Sequence, residues 1–280
     1  MNLPQKLDLN SNDWKAVQFT AIFIGSVYIL FYTSIEKTLT CLTKRGIKNE
    51  RILRQGERHK MGKYNFDEVI DRHGTDCLKY DFGMKRKGRD DLLPLWVADM
   101  DFRLPDEILD EFHKRIDHGI FGYTDPLDEY FAAMNHWFST RYGYTIEPDW
   151  VTLGAGIVYA LGTSVRAFTE KGDAMMVMQP VYYPFSEVIK NDGRRLVNCQ
   201  LRYENNHYSI DFEKMERMIL EEGVKALIFC NPHNPVGRVW TREELERVAE
   251  ICLKYNVTWM VDEMHCDFIF PGHTFTSCMN

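Results

Sequence analysis

Short apolar runs alternate with longer amphipathic ones over most of this chain, and that alternation leaves few folds open. DAMMVMQP, VKALIFCNP and VTWMVDE have strand length and end in proline or acids. Between them lie stretches with helical spacing. FEKMERMILEEG is closed by Gly223, and TREELERVAEICLKYN opens on Thr241 with Glu244 three residues on, the pattern of a capping box. Upstream, PDEILDEFHKRI starts at Pro105 and Asp106, and DEYFAAMNHWFSTRYG is stopped by Gly143. WVTLGAG followed by IVYALGTSVRAFT reads as strand, glycine turn and helix. Strands and helices in this order predict an α/β fold, a mostly parallel sheet flanked by helices.

The bulk properties narrow the partners. A chain of 280 residues with net charge −7 and no basic stripe is not expected to bind nucleic acid. Its seven cysteines are scattered, odd in number and form no C-x-x-C pair, which argues against a disulfide framework and a zinc ribbon. A reducing, cytoplasmic location is expected.

The N-terminus differs from the rest. No charged residue occurs from Ala16 to Ile35, a stretch about long enough to cross a bilayer at ~1.5 Å per residue. Lys37, Lys44, Arg45, Lys48, Arg51 and Arg54 follow it, a bias that would leave the bulk of the chain in the cytoplasm. Against a span, Gln18, Thr20, Gly25 and Ser26 dilute the hydrophobicity, and Met61 begins MGKYNFDEVIDRHGTD, which reads like a protein start. Two readings stand: a membrane anchor at about 16–35, or an extension outside the enzyme proper.

In parallel sheets, ligands sit beyond the carboxyl ends of the strands. Four strand ends in the sequence carry suitable groups. Gly154, Ala155, Gly156 and Ile157 open a helix, where backbone N–H groups can hold a phosphate; a tight turn without ligand is the commoner use. Tyr182 and Tyr183 could stack on a flat ring or pack in a rigid loop. Asn234 sits in NPHNPVGR, where two Asn-Pro pairs over-determine the backbone and hold an amide for a ligand oxygen. Asp262 ends a buried strand, where a charge needs a cation. Glu263, His265, Cys266 and Asp267 crowd behind it, yet neighbours so close do not readily point at one ion, so no metal is expected. Cys266 reads as a buried thiol rather than a nucleophile.

In that order, LPLWVADMDF, GYTDP, QPVYYPF, NPHNPVGRVW and VDEMHCDF resemble the MalY/PatB-type C–S lyases, the cystathionine or cysteine-S-conjugate β-lyases of the fold-type I pyridoxal-phosphate enzymes. The likeness runs from about Met61 to the end of the chain. It implies pyridoxal 5′-phosphate as cofactor, with Asp262 on the pyridinium nitrogen, Asn234 on the phenolic oxygen and His265 near the same edge. It implies Tyr182 stacked on the ring and the backbone at Gly156 and Ile157 on the phosphate. Tyr123 would reach the phosphate of a neighbouring subunit, which implies a homodimer. Trp96, Ala98 and Asp99 would line the substrate entrance. The implied reaction is α,β-elimination on a cysteine-type amino acid, giving thiol, pyruvate and ammonia.

The resemblance also implies parts that this sequence does not show. The Schiff-base lysine and the arginine for the substrate carboxylate are expected beyond Asn280, so no catalytic residue is assigned and the chain is expected to be an inactive fragment, truncated before the C-terminal small domain. The expected organisation is an extension over 1–60, an N-terminal arm with part of the small domain over 61–110, and an incomplete cofactor-binding large domain over 111–280. An aminotransferase of the same fold, or a non-catalytic regulatory or membrane-tethered module, are the competing functions.

Overall fold

The computed structural model describes residues 64–89 and 91–280. The candidate span at 16–35 and the rest of the 1–60 extension lie outside the described residues. Among those described, no helix is long and apolar enough to cross a membrane. The described chain divides into two units, 64–124 and 125–280.

The first unit holds two helices, α1 (Gly83–Lys87) and α2 (Asp106–His118). A charge cluster ties the chain before α1 to the segment between the two helices. Arg72 reaches Asp99 at 2.6 Å and Asp101 at 2.5 Å, and the buried Lys79 ammonium donates to the Asp99 carbonyl at 2.8 Å and to Asp101 at 3.0 Å. The apolar side chains of this segment stay largely exposed, among them Leu93, Leu95 and Trp96.

The second unit runs α3 (Asp128–Tyr142), α4 (Ile157–Phe168), β1 (Ala174–Val177), α5 (Pro184–Asn191), β2 (Arg195–Asn198), β3 (Arg202–Glu204), β4 (His207–Ser209), α6 (Phe212–Glu222), β5 (Val224–Cys230), α7 (Arg242–Lys254) and β6 (Thr258–Asp262). Four strands form one sheet in the order β2-β1-β5-β6, with every neighbouring pair parallel. Side chains alternate between its faces, as the strand period requires. Ala174, Met176, Leu227, Phe229, Trp259 and Val261 pack on one side with Met215 and Ile219 of α6 and Val248 and Ile251 of α7. Met175, Val177, Ala226, Ile228, Cys230 and Met260 pack on the other with Leu161 and Val165 of α4 and Phe185 and Ile189 of α5. Both faces are covered, which is why the strands read as unbroken apolar runs.

Local chemistry sets the helix ends as expected. The Thr241 hydroxyl accepts from the Glu244 N–H at 3.2 Å while the Glu244 carboxylate accepts from the Thr241 N–H at 2.9 Å. Gly223 closes α6 in the left-handed region at φ 62°. Among the described elements, α1, α5, β2 and the β3–β4 hairpin were not read from the sequence. The hairpin had a signal in Asn205 and Asn206, both at positive φ in its turn. One expectation fails. WVTL, residues 150–153, forms no strand, and Trp150 instead ends a short 3-10 turn over Pro148–Trp150. An apolar run becomes a strand only beside a partner, and no described strand pairs with this one.

Candidate active site

The sheet order fixes where a site can form. The chain passes from β1 to β2 on one side and later enters β5 on the other side of β1. A crevice therefore opens between the carboxyl ends of β1 and β5, where connections leave in opposite directions. The loop after β1 carries Tyr182, the loop after β5 carries Asn234, and β6 beside it ends at Asp262.

Asp262 is paired in register with Cys230, whose side chain packs on the α4–α5 face; by alternation Asp262 faces that side too. Its side chain is buried, and one oxygen accepts from the Met264 N–H at 2.9 Å. No other donor reaches the carboxylate among the described residues, and no cation pairs with it. Burial accordingly pushes the carboxyl above its ordinary range, opposed by the Met264 N–H and by His265. Tyr182 and Ile157 pack against the same apolar cluster. The Tyr182 phenol is pushed up by burial, by Tyr183 and by the Asp262 carboxylate.

Gly156 stands at the N-terminus of α4 at φ 125° and ψ 159°, backbone that a side chain does not readily adopt. No side chain caps this terminus and its first turn carries no acid, so the leading N–H groups point outward unpaired within the helix. We expect Gly156→Ala to cost about 2 kcal/mol in urea unfolding, from backbone strain. Gly154 is the control. A Cβ there would meet Ala160 and Tyr159 at an ordinary 3.8 Å, so Gly154→Ala should stay within about 0.5 kcal/mol. Equal costs at the two positions would contradict the assignment of strain to Gly156.

Asn234 and His265 line a cavity of about 670 Å³ together with Tyr208, Arg238, Phe268 and His273. The Asn234 N–H lies 3.5 Å from Cys230 Sγ, and its side-chain amide has no hydrogen-bond partner among the described residues. Arg238 holds the cavity wall. Its guanidinium takes Glu244 at 2.6 Å and His207 Nε2 at 2.8 Å, and donates to the Tyr208 carbonyl. The structure thus gathers Ile157, Tyr182 and Asp262 on one face of the sheet, and Asn234 with His265 at its carboxyl edge.

The polar burst after β6 does not converge. Glu263 is buried and accepts from the Ser277 hydroxyl at 2.8 Å and the Cys278 N–H at 2.7 Å, with Asn231 Nδ2 at 3.5 Å. Cys266 is buried beside Tyr142, and burial pushes its thiol up to about 12. Asp267 accepts from Tyr142 and, at 3.2 Å, from Trp137 Nε1 on α3. His265 alone turns to the cavity.

The remaining candidates fall in the first unit. Trp96 is half-exposed under the Lys87 ammonium at 4.8 Å, and Ala98 and Tyr123 are exposed. Asp99 is committed to its ion pairs with Arg72 and Lys79 rather than left free. Sequence reading gave no role to His233, Arg238 or Glu263. His233 had a signal, an imidazole between two Asn-Pro pairs at an apolar strand end. Apart from Glu244, the partners of the other two lie far along the chain, out of reach of local patterns.

Residues 90–280 match the family model described as aminotransferase class I and II. Among curated relatives, cystathionine beta-lyase PatB of Bacillus subtilis is 42% identical over 212 residues, covering 76% of this chain and 55% of the relative. Protein MalY of Escherichia coli is 34% identical over 208 residues, covering 74% and 53%. The solved structure of cystalysin from Treponema denticola, which contains a pyridoxal 5′-phosphate cofactor, superposes with a TM-score of 0.72 at 38% identity, covering 77% of this chain and 55% of that one. The chain spans about half the length of the curated relatives it matches.

Proposed function

This chain belongs to the aminotransferase class I and II family, with the fold-type I architecture of its pyridoxal-phosphate members, and on that premise we propose that it binds pyridoxal 5′-phosphate for α,β-elimination on cysteine-type amino acids. The observation that carries the reading is the buried Asp262 carboxylate, which among the described residues has one backbone donor and no cation. A buried carboxylate without a counter-charge is costly, and a protonated ring nitrogen supplies one. The unpartnered Asn234 amide and the uncapped helix at Gly156 support the same ligand, since a phenolic oxygen and a phosphate suit them.

In this reading Asp262 keeps the proton on the ring nitrogen. Asn234 donates its amide to the phenolic oxygen, with His265 at the same edge. Tyr182 lies against the ring face, and the N–H groups at Gly156 and Ile157 hold the phosphate. Bound there, the cofactor supplies an electron sink for a Cα carbanion. Trp96, Ala98 and Asp99 are the residues proposed for the substrate entrance. Tyr123 reaches the phosphate of a second copy, so the working form is a homodimer. The similarity to PatB, a cystathionine beta-lyase, favours elimination over transamination, with a cystathionine-type substrate yielding thiol, pyruvate and ammonia.

The anchoring lysine is not Lys225 or Lys254. Lys225 opens β5 and Lys254 closes α7, both at the amino edge of the sheet, opposite Asp262. Lys254 is also paired with Glu216 at 3.0 Å. The chain with pyridoxal 5′-phosphate should show a saturable absorbance change, and borohydride followed by peptide mapping should leave both lysines unmodified. A stoichiometric phosphopyridoxyl group on either, with pyruvate released from cystathionine, would overturn that exclusion. Conversion of an added 2-oxo acid to its amino acid, with no thiol or pyruvate released from cystathionine, would assign transamination instead. No saturable binding would sink both.

A further inference from the structure

We propose that His233 is a positioning residue which ties the loop after β5 to the loop after β1 and so sets Tyr182 against the cofactor ring. The inference rests on the cofactor reading above and adds to it a residue that touches neither cofactor nor substrate.

The geometry is specific. His233 is 1% exposed and stands in the crevice where the sheet order reverses, two residues past Asn231 and one before Asn234. Its Nε2 lies 3.1 Å from the Met178 carbonyl and 3.0 Å from the Pro180 carbonyl. Both oxygens can only accept, so Nε2 carries the proton and forks it between them. Nδ1 is buried with no hydrogen-bond partner among the described residues, which leaves the ring neutral; burial pushes the imidazole down to about 4. The ring stands edge-on to Trp240 at 5.4 Å, and Trp240 is itself fixed by donating to the Cys230 carbonyl at 2.9 Å.

Each end of this tie leads to a ligand group. On one side, the His233 N–H donates to the Arg238 carbonyl at 2.7 Å and the Gly237 N–H to the His233 carbonyl at 2.9 Å. That closes the turn which presents Asn234. On the other, the tied Pro180 precedes Tyr182 by two residues, and Tyr182 rests on Phe185 with ring centroids 5.9 Å apart. The short span from Pro180 to Tyr182 transmits the placement of one carbonyl to the angle of the phenol ring.

A buried histidine that merely satisfies two carbonyls would support the fold and nothing else, so the test must read the cofactor. Pyridoxal 5′-phosphate is titrated by tryptophan-fluorescence quenching, and the circular dichroism of its bound absorbance band is recorded. His233→Phe keeps the ring but removes the donor, and should weaken binding about 10-fold with a smaller dichroic band. His233→Gln can place an amide N–H where Nε2 stood, and should return affinity to within about 3-fold of wild type. In a Tyr182→Ala background, His233→Phe should cost less than about 3-fold, because its effect runs through the missing ring. A full 10-fold loss in both backgrounds would overturn the inference and leave His233 a fold residue. Should His233→Phe fail to fold by far-ultraviolet dichroism, His233→Gln against His233→Asn decides. The shorter Asn amide cannot reach the two carbonyls, and equal affinities would again overturn the inference. No saturable binding by the wild-type chain overturns the cofactor reading and this inference with it. Normal wild-type binding with unmoved variants overturns this inference alone.

Discussion

Asp262→Asn should weaken pyridoxal 5′-phosphate binding on the order of 100-fold while leaving the cofactor-free chain at least as stable as wild type at pH 8. The two effects have one cause. The carboxylate is buried with a single N–H donor, so without the cofactor its charge is a cost that burial imposes and nothing repays. Asn keeps an oxygen for the Met264 N–H and removes the charge. That charge is what the cofactor reading sets against a protonated ring nitrogen. Function and stability therefore pull apart at this position, as expected where a site stores an unfavourable charge for its ligand. The checks are a cofactor titration and a thermal melt on the same two proteins. Unchanged affinity would remove Asp262 from the site, and a large loss of stability would mean that its charge is already compensated within the fold.

Glu263, one residue on, gives a second large effect by a different route. Burial pushes its carboxyl up to about 7, against the pull of Cys278, Ser277 and Asn231, whereas the unfolded chain releases this proton near 4.5. Between those values the folded state holds a proton that the unfolded state has lost. The contribution to unfolding free energy is then full below about pH 4.5 and falls as pH rises to about 7, by roughly 3 kcal/mol in all. Glu263→Gln removes the titration and keeps an oxygen for the Cys278 N–H. Urea unfolding at pH 5, 6, 7 and 8 should show the variant gaining on wild type across that window and holding its lead above it. Parallel profiles would show that the three donors keep Glu263 ionised throughout. Asp262 shifts in the same direction, so the difference between the two proteins, rather than the wild-type slope, isolates Glu263.

The candidate site was legible in part because strand ends announce themselves. An apolar run of strand length followed by Tyr182, by Asn234 or by Asp262 marks a carboxyl end. In a sheet of parallel strands all carboxyl ends lie at one edge, so these residues had to share it. The glycine turn was legible for the wrong structural reason. Gly156 does open a helix, but the residues before it form no strand, because strand character depends on a neighbour that a local pattern cannot supply. Asp99 shows what a local pattern leaves out: it is held by Arg72 and Lys79, whose positions in the sequence give no hint of the pairing.

The sequence by itself determined whatever depends on neighbours a few residues away: the Thr241–Glu244 cap, the Gly223 stop, the apolar runs of β1, β5 and β6, and the parallel, helix-covered sheet they require. These follow from the helical and strand periods and from backbone groups that must be satisfied locally. Only the tertiary structure decided which polar groups find each other. Five polar residues within six positions after Val261 look like one cluster in the sequence. In the fold Asp262 faces α4 and α5, Glu263 meets residues 277 and 278, His265 opens onto the cavity, and Cys266 and Asp267 join α3. His233 meets carbonyls more than fifty residues away because β5 lies beside β1 rather than beside β2. Strand order is settled by how the crossovers bury the two apolar faces, a property of the whole sheet, and a buried polar group then takes whatever partner that packing brings within about 3 Å.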